Sequence, residues 1–354
     1  MKEVYVSVVN LPLEKEIQLN LLLNKAVGRW DFNRLAIILD EMSHIPDFNI
    51  ELTGFSLPEV SEILDRHLKK SEEDDFDFDK TVESIKEPIT KKGDVINLGP
   101  HRIMYGDSAS TDDLNMLMQN RKIALIHSDP PYGCKYLSQN RPDLESRPKK
   151  SKRWEKLYKD DLSEKDYEDW IRGVLSNIRP HLKPGASAYL WNGHAKFYFM
   201  HQVLKELGFH VSTVITWAKP TFAISYGDFN QQTEFCLFSW LKNGPHKWYG
   251  PTNETNLWEI ARDKASTLIH PTQKSVEIPT RAIRNSSKRE DVVFDGFLGS
   301  GSTLIAAESL GRRCYGTEIE PKYIDGIILR YTAFVGKEKV SKEIRDKYLK
   351  EVSS

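Results

Sequence analysis

The sequence lacks the features that mark membrane-spanning, disulfide-bonded and metal-binding chains. None of its apolar runs is long enough to cross a bilayer, and its start, MKEVYVSVVN, has no signal-peptide pattern. Its three cysteines, Cys134, Cys236 and Cys314, are far apart and form no CxxC or Cys/His cluster with metal spacing. These absences predict a protein of the reducing cytoplasm with no metal site.

The chain also lacks an excess of either charge. Lys plus Arg number 50 and Asp plus Glu number 51, so a net charge of −1 indicates nothing about partners. The charges are instead local, with an acidic segment at 71–80 and a basic one, RPKKSKRW, at 147–154. The length of 354 residues suits one large domain with an appendage, or two domains.

Periodicity divides the chain into a small module and a larger domain. Residues 1–70 carry three segments with helical apolar spacing, which predict a small, mainly helical module. Residues 71–89 begin with the acidic segment and are predicted to be a linker. Residues 90–340 alternate strand and helix patterns, which is typical of a doubly wound α/β sheet. Residues 341–354 are predicted to be a C-terminal tail.

A stiff corner follows one of the predicted strands. The apolar run 123–126 has the pattern of a fully buried parallel strand, and the letters DPPY follow it. Pro130 and Pro131 fix their own φ angles, donate no backbone hydrogen bond and keep the preceding residue extended. The corner therefore presents the carboxylate of Asp129, backbone carbonyls and the ring of Tyr132 at the end of a strand.

A glycine-rich turn between a strand and a helix is the second signal. Residues 296–301 have the spacing of a phosphate loop, but Ser302 stands where its lysine must be. Leu304 stands where a dinucleotide fingerprint needs a third glycine. A nucleoside cofactor without a pyrophosphate remains, with Glu318 after the next strand, or its neighbour Glu320, accepting hydrogen bonds from the ribose. A structural turn with a surface acid is the alternative.

Three motifs, in their order, resemble the amino-directed DNA methyltransferases that use S-adenosylmethionine. They are DPPY at 129–132, HPTQKSVEI at 270–278 and FLGSG at 297–301, which corresponds to the family's F-x-G-x-G. The catalytic motif precedes the cofactor motif, as in the permuted beta class. The resemblance covers roughly residues 90–335 and implies a circularly permuted, Rossmann-like methyltransferase sheet.

The resemblance also implies roles for individual residues. Asp129 and the carbonyl of Pro130 would accept the two protons of the target amino group, and Pro131 would help to hold that carbonyl. Tyr132 would offer its ring to a flipped base, and the nitrogen would attack the cofactor's methyl group in line. Asp107 has an alternative role as a helix cap. The residues expected at the cofactor are Asp107, His270, Thr272, Lys274, Asp295, Phe297, Gly299, Ser300, Gly301, Ser302, Thr303 and Glu318.

The departures from the family pattern lie close to the motifs. Gly296 and Leu298 differ from the family's usual DPFGGSG, and Ser275 replaces a proline. Gly299 and Gly301 retain the close backbone approach, so we expect cofactor binding to be retained.

Two segments are candidates for DNA contact. The basic segment lies between the catalytic corner and a helix, where a loop that grips phosphates fits, although a solvated loop is the alternative. Residues 219–260 are rich in polar and aromatic side chains and lie where the family carries target recognition. The predicted phosphate contacts are Arg147, Lys149, Lys150, Lys152 and Arg153.

The N-terminal module resembles the tail of a ParB-like domain that is often joined to phage and prophage methyltransferases. The segments at 24–42 and 48–64 carry this likeness. The arginine-rich core of full ParB-like domains is missing, so we expect a role in packing or assembly.

The leading prediction is a site-specific methyltransferase for the N6 amino group of adenine in double-stranded DNA. N4-cytosine methylation uses the same type of site, although its members more often have serine in place of Asp129. C5-cytosine methylation needs a cysteine after proline, whereas Cys134 follows Gly133. The alternative from another class is a non-catalytic DNA-binding or assembly protein with a relic fold. A homodimer and a cognate restriction enzyme are further partners that the family suggests.

Overall fold

A computed structural model describes residues 10–25, 30–43, 45, 48–67, 74, 76–132, 162–223, 228–260 and 275–349. The chain divides into two compact units, residues 1–70 and residues 71–354. The basic segment, with all five predicted phosphate contacts, lies outside the described residues, as do His270, Thr272 and Lys274. No helix in these described ranges is long and apolar enough to cross a membrane.

The first unit is a small helical module around its own core. Its helices are α1 (Leu13–Lys25), α2 (Phe32–Ser43) and α3 (Leu57–His67), with a 3-10 turn at Ile50–Thr53. Leu35 and Leu39 of α2 are buried against Val60 of α3. At the start of α3 the Ser56 hydroxyl accepts from the Glu59 N–H, and the Glu59 carboxylate accepts from the Ser56 N–H, as in a capping box. Local signals thus account for the three predicted helices.

The second unit contains one nine-stranded sheet. Its strands are β1 (Val95–Leu98), β2 (His101–Tyr105), β3 (Ile123–Ser128), β4 (Leu182–Asn192), β5 (Phe209–Ala223), β6 (Gln231–Leu241), β7 (Leu257–Glu259), β8 (Val292–Asp295) and β9 (Arg313–Glu318). Their order is β1-β2-β9-β8-β3-β4-β6-β5-β7. Strands β2, β9, β8, β3 and β4 are parallel, and β6 lies antiparallel between β4 and β5. The predicted α/β sheet is confirmed.

Helices cover both faces of this sheet. They are α4 (Phe78–Ser84), α5 (Thr111–Met118), α6 (Glu164–Ile178), α7 (Phe197–Glu206), α8 (Glu277–Ser286), α9 (Ser302–Ser309), α10 (Pro321–Val335) and α11 (Lys342–Tyr348). One buried cluster joins α5, α6 and α7 to the sheet, and another joins α8, α9 and α10 to it. Strands buried on both faces read as continuous apolar runs, as 123–126 does.

The centre of the sheet brings the two sequence motifs together. Strands β3 and β8 are parallel neighbours, although Ser128 and Asp295 are 167 residues apart in the chain. The next neighbour of β3 is β4, whereas that of β8 is β9, so the strand order reverses between β3 and β8. In open α/β sheets, ligands bind at the carboxyl ends of the strands at such a switch point. The corner follows β3 and the glycine-rich turn follows β8, both at this edge.

The acidic segment predicted to be a linker belongs to the second unit instead. Residues 71–89 contain α4, whose Phe78 is buried and packs edge-on against Tyr323 of α10. The carboxylate of Asp74 pairs with the buried guanidinium of Arg330. Acidic composition was misleading because the phenylalanines between the acids face the core.

The predicted C-terminal tail is also partly folded. Within residues 341–354, α11 buries Ile344 and Tyr348. The Tyr348 hydroxyl lies 3.0 Å from the hydroxyl of Thr90, which donates to the buried carboxylate of Asp325 at 2.5 Å. These bonds join the two ends of the second unit.

Candidate active site

The corner after β3 is held by two phenolic hydroxyls. Tyr132 donates to Oδ1 of Asp129 at 2.8 Å, and Tyr167 of α6 donates to the carbonyl of Pro131 at 2.8 Å. Burial, and then the charges of Asp129 and Glu234, raise the pKa of the Tyr132 phenol well above its ordinary value. The phenol therefore keeps its proton and remains a donor. The described structure thus brings Asp129 and Tyr132 into direct contact.

Asp295 lies beneath the glycine-rich turn and connects it to the corner. Its side chain is 4% exposed, and Oδ1 accepts from the Ser128 hydroxyl at 3.0 Å and the Phe297 N–H at 3.0 Å. Oδ2 accepts from Thr303 at 2.6 Å, and the Gly296 N–H donates to the Ser128 hydroxyl at 2.9 Å. Burial raises the pKa of Asp295 to about 6, although these hydrogen bonds favour the charged form. Asp295 and Thr303 face inward.

A buried histidine extends this network. The Trp191 indole N–H donates to Nε2 of His127 at 3.2 Å, and Nδ1 lies 3.1 Å from the Thr303 hydroxyl. Because an indole can only donate, Nε2 is the acceptor and we assign the proton to Nδ1. The chain of donors runs from Trp191 through His127 and Thr303 to the carboxylate of Asp295. It couples β4, β3 and α9 beneath the corner.

The glycine-rich turn uses backbone conformations that favour glycine. Gly299 has φ of 53° and Gly301 has φ of 82°. A Cβ on Gly301 would lie 3.1 Å from Ile327, and the Gly299 N–H donates to Oε2 of Glu318 at 2.8 Å. Ser300, between the two glycines, accepts from Arg330 at its carbonyl, and Ser302 begins α9. The turn is therefore fixed to β9 and to α10.

Two predicted acids line one pocket at the end of the sheet. The residues that line it are Gly106, Asp107, Ser108, Gly296, Phe297, Glu318 and Ile319. Glu318 is 9% exposed, and its Oε1 accepts from the Ile319 and Glu320 N–H groups. Burial raises the pKa of Glu318 to about 7. The alternative role for Asp107 is wrong, because the cap of α5 is Ser110.

The departures from the family pattern fit their surroundings. A Cβ at Gly296 would lie 2.5 Å from the Ser108 hydroxyl, which occupies the space that a proline ring would need. Leu298 is buried over Gly316, where a Cβ would lie 2.7 Å from the leucine side chain. Gly316 thus makes room for Leu298, and the turn closes with a different set of side chains.

The residues around the pocket fit a nucleoside. Carboxylates of Glu318 and Asp107 can accept from hydroxyl and amino groups, and Phe297 offers an aromatic ring. In the part of the chain that the structure describes, the turn carries no lysine for a phosphate.

The candidate recognition segment, 219–260, is divided between core and surface. His246 stacks on Trp240 at 3.9 Å, and Trp248 packs edge-on against Phe238, so these rings cover the sheet. The end of the β5–β6 hairpin is different, because Phe222 is 55% exposed and Phe229 is 82% exposed. Lys219 and Glu234 form a largely buried ion pair of 2.5 Å at the same end.

Sequence reasoning missed the residues that support the motifs. His127 and Ser128 had only their position before DPPY as a signal. Tyr167 on α6 and Arg330 on α10 contact the motifs but are distant from them in sequence, and no local pattern indicated their role.

Residues 123–330, more than half of the chain, match the family described as DNA methylase. The chain belongs to this DNA methylase family. In this DNA methylase, residues 33–92 also match the ParB-methyltransferase HTH domain, so the predicted likeness of the N-terminal module to ParB-associated modules is supported. That match extends beyond α3 and includes α4.

Curated relatives of the DNA methylase are type II methyltransferases. M2.MboI of Moraxella bovis is 27% identical over 255 residues, which cover 67% of this chain and 89% of the relative. M2.LlaDCHI of Lactococcus lactis subsp. cremoris is 29% identical over 225 residues, covering 56% and 78%. The solved PvuII DNA methyltransferase (cytosine-N4-specific) is 18% identical with a TM-score of 0.52, covering 75% of this chain and 94% of that one. At this identity the likeness concerns the fold alone.

Proposed function

We propose that this DNA methylase transfers a methyl group from S-adenosylmethionine to the N6 amino group of adenine at specific sites in double-stranded DNA. The observation that carries the proposal is the pairing of the corner with the glycine-rich turn at one edge of the sheet. The Ser128–Asp295 hydrogen bond of 3.0 Å links the two directly. The DNA methylase match and the type II relatives support the reaction class.

S-adenosylmethionine is the cofactor, and it supplies a methyl group activated by a positively charged sulfur. Glu318 would accept hydrogen bonds from the ribose hydroxyls, and Asp107 one from the adenine amino group. Gly299 and Gly301 would allow close backbone approach. We assign Asp295 and Thr303 a supporting role from beneath, since both are buried. His270, Thr272 and Lys274 remain proposed from their motif alone.

The corner would orient the target nitrogen for direct attack. The lone pair of an adenine amino group is delocalised into the ring, so acceptors out of the ring plane favour a more pyramidal nitrogen. Oxygens of Asp129 and Pro130 are the proposed acceptors, and Tyr167 holds the carbonyl of the next residue, Pro131. Both acceptors are held in place, so little reorganisation is needed as charge develops. The amino nitrogen would then bond to the methyl carbon as the C–S bond breaks and its electron pair stays on sulfur, and one amino proton would be released to water.

DNA would reach this site along the end of the β5–β6 hairpin. Exposed rings of Phe222 and Phe229 can stack on bases, and the target base must leave its stack before it reacts. The basic residues at 147–153 would bind phosphates. From the motif order we also propose the permuted beta class, with an N-terminal module of phage type. The type II relatives support a cognate restriction enzyme, and the family suggests a homodimer.

N4-cytosine methylation is the second candidate. Its chemistry needs the same corner, since the target is again an amino group on a ring. The aspartate at 129 favours adenine, because N4-cytosine enzymes more often have serine there.

Mass spectrometry of nucleosides tests the proposal. Unmethylated plasmid DNA is incubated with S-adenosylmethionine and either the protein or its Asp129→Ala variant. N6-methyladenine made by the intact protein alone would support both the base and the role of Asp129. N4-methylcytosine would keep the site and change the base. No product together with no saturable cofactor binding would favour the relic alternative.

A further inference from the structure

Arg330 joins the acidic segment to the glycine-rich turn. Its side chain is 1% exposed. On one side Nε and Nη2 donate to the two carboxylate oxygens of Asp74, at 2.6 and 2.7 Å. On the other side Nη1 donates to the carbonyl of Ser300 at 2.9 Å and to its hydroxyl at 3.3 Å. One guanidinium therefore connects residues 74 and 300 through α10.

The position of Ser300 makes this connection consequential. Ser300 lies between Gly299 and Gly301, whose backbones have the widest conformational freedom. A bidentate carboxylate fixes the plane of a guanidinium, and with it the direction in which Nη1 points. Without its carboxylate, a buried guanidinium is poorly solvated and is expected to rearrange toward water.

The helix that follows Asp74 fixes this part of the segment. Phe78 of α4 packs edge-on against Tyr323, and a Cβ at Gly326 of α10 would lie 2.9 Å from the Phe78 ring. The packing of α4 therefore holds Asp74 beside Arg330, on the same face of α10.

We propose that Asp74 is a positioning residue for the cofactor, which acts through Arg330 to hold the Gly299–Ser300–Gly301 turn in its binding conformation. The proposal rests on the proposed function, since the ligand of the turn is S-adenosylmethionine. Asp74 lies inside the ParB-methyltransferase HTH match and outside the DNA methylase match. A residue of the segment that matches the ParB-methyltransferase HTH domain would therefore influence the affinity of a site whose motifs lie in the DNA methylase match.

Hydrogen exchange of the protein without cofactor is the first test. We expect Asp74→Asn to accelerate amide exchange in the peptide 296–303, and Asp74→Glu to restore much of the protection. The matched control is Asp291→Asn, which breaks an ion pair with Lys183 at the opposite end of β8 and should leave this peptide unchanged. Unchanged exchange in Asp74→Asn, or equal acceleration in the control, would overturn the proposal.

Cofactor titration by calorimetry is the second test. We expect Asp74→Asn to raise the dissociation constant of S-adenosylmethionine on the order of tenfold, and the KM for it similarly, with kcat at saturation retained. A fall in kcat without a change in KM would contradict a positioning role. Wild-type protein that binds no S-adenosylmethionine would refute the proposed function, whereas the exchange result would still decide whether Asp74 holds the turn.

The Asp74→Asn variant leaves the buried charge of Arg330 less well paired, and this can unfold the protein. The double variant Asp74→Leu with Arg330→Met then replaces Asp74→Asn, since it removes both charges together. We expect it to fold and to show the same faster exchange at 296–303. A folded double variant with wild-type exchange would contradict the proposal.

Discussion

Glu318 is expected to make cofactor binding depend on pH. Burial raises its pKa to about 7. Its oxygens already accept three backbone N–H bonds, so only the ionised carboxylate, which carries no proton of its own, keeps a further acceptor site on Oε2 for a ribose hydroxyl. At pH 8 about 90% of the protein then has this group ionised, and at pH 6 about 10%. The apparent dissociation constant of S-adenosylmethionine should therefore rise about tenfold between pH 8 and pH 6.

Calorimetric titration at pH 6, 7 and 8 measures this dependence. Glu318→Gln should bind weakly at every pH and lose the slope, because the amide does not titrate. A wild-type affinity that stays constant across this range would refute the reasoning. So would a Glu318→Gln variant that keeps the wild-type slope, since another group would then be responsible.

The raised pKa of Glu318 also makes the stability of the fold depend on pH. The fold becomes less stable as pH rises, whereas cofactor binding becomes tighter. The ordinary pKa of the carboxyl is 4.5, so between about 4.5 and 7 the folded protein binds more protons than the unfolded chain. The free energy of unfolding must then fall as pH rises through this window. The full change in the free energy of unfolding across this window is about 3 kcal/mol. In urea titrations, Glu318→Gln should gain part of this relative to wild type at pH 8 and none at pH 4.

Three further variants test other parts of the structure. Tyr167→Phe removes the donor to the carbonyl of Pro131 and should lower kcat about fivefold in a methyl-transfer assay, with cofactor affinity unchanged. Gly316→Ala places a Cβ 2.5 Å from the carbonyl of Asp295 and should cost about 1–3 kcal/mol in urea unfolding. Phe229→Ala removes an exposed ring and should raise the KM for DNA about tenfold, without changing thermal stability. A wild-type value in any of these three assays would contradict the corresponding contact.

The elements that sequence predicted are those with strong local signals. Helix α6 has such a signal at its start, where the Ser163 hydroxyl caps it by accepting from the Asp166 N–H at 3.2 Å. Helix α10 was not predicted, because it buries Asp325 and Arg330 among its apolar residues and so hides the amphipathic pattern. The three residues of β7 are too few for a periodic signal.

The residues of the candidate site fall into the same two groups, those with a local sequence signal and those without one. DPPY and the two glycines were predicted because each constrains or frees the backbone at its own position, which the sequence shows directly. Their supports were not, since Asp74 and Arg330 are 256 residues apart and no spacing rule relates them. Asp295 was predicted beside the cofactor because the motif places it there, whereas its buried contacts with Ser128 and Thr303 depend on the neighbouring strand. Long-range pairs of polar residues are the part that a single sequence does not reveal.

The strand order has a consequence during synthesis on the ribosome. Strand β3 emerges early, but its neighbour β8 follows 167 residues after it, as measured from Ser128 to Asp295. At about 5–20 residues per second, the edge of β3 waits roughly 10 to 30 seconds for its partner. An apolar strand with an unpaired edge is prone to pair with other chains. The nascent protein should therefore depend on chaperones until β8 has been made, and it cannot modify DNA before then.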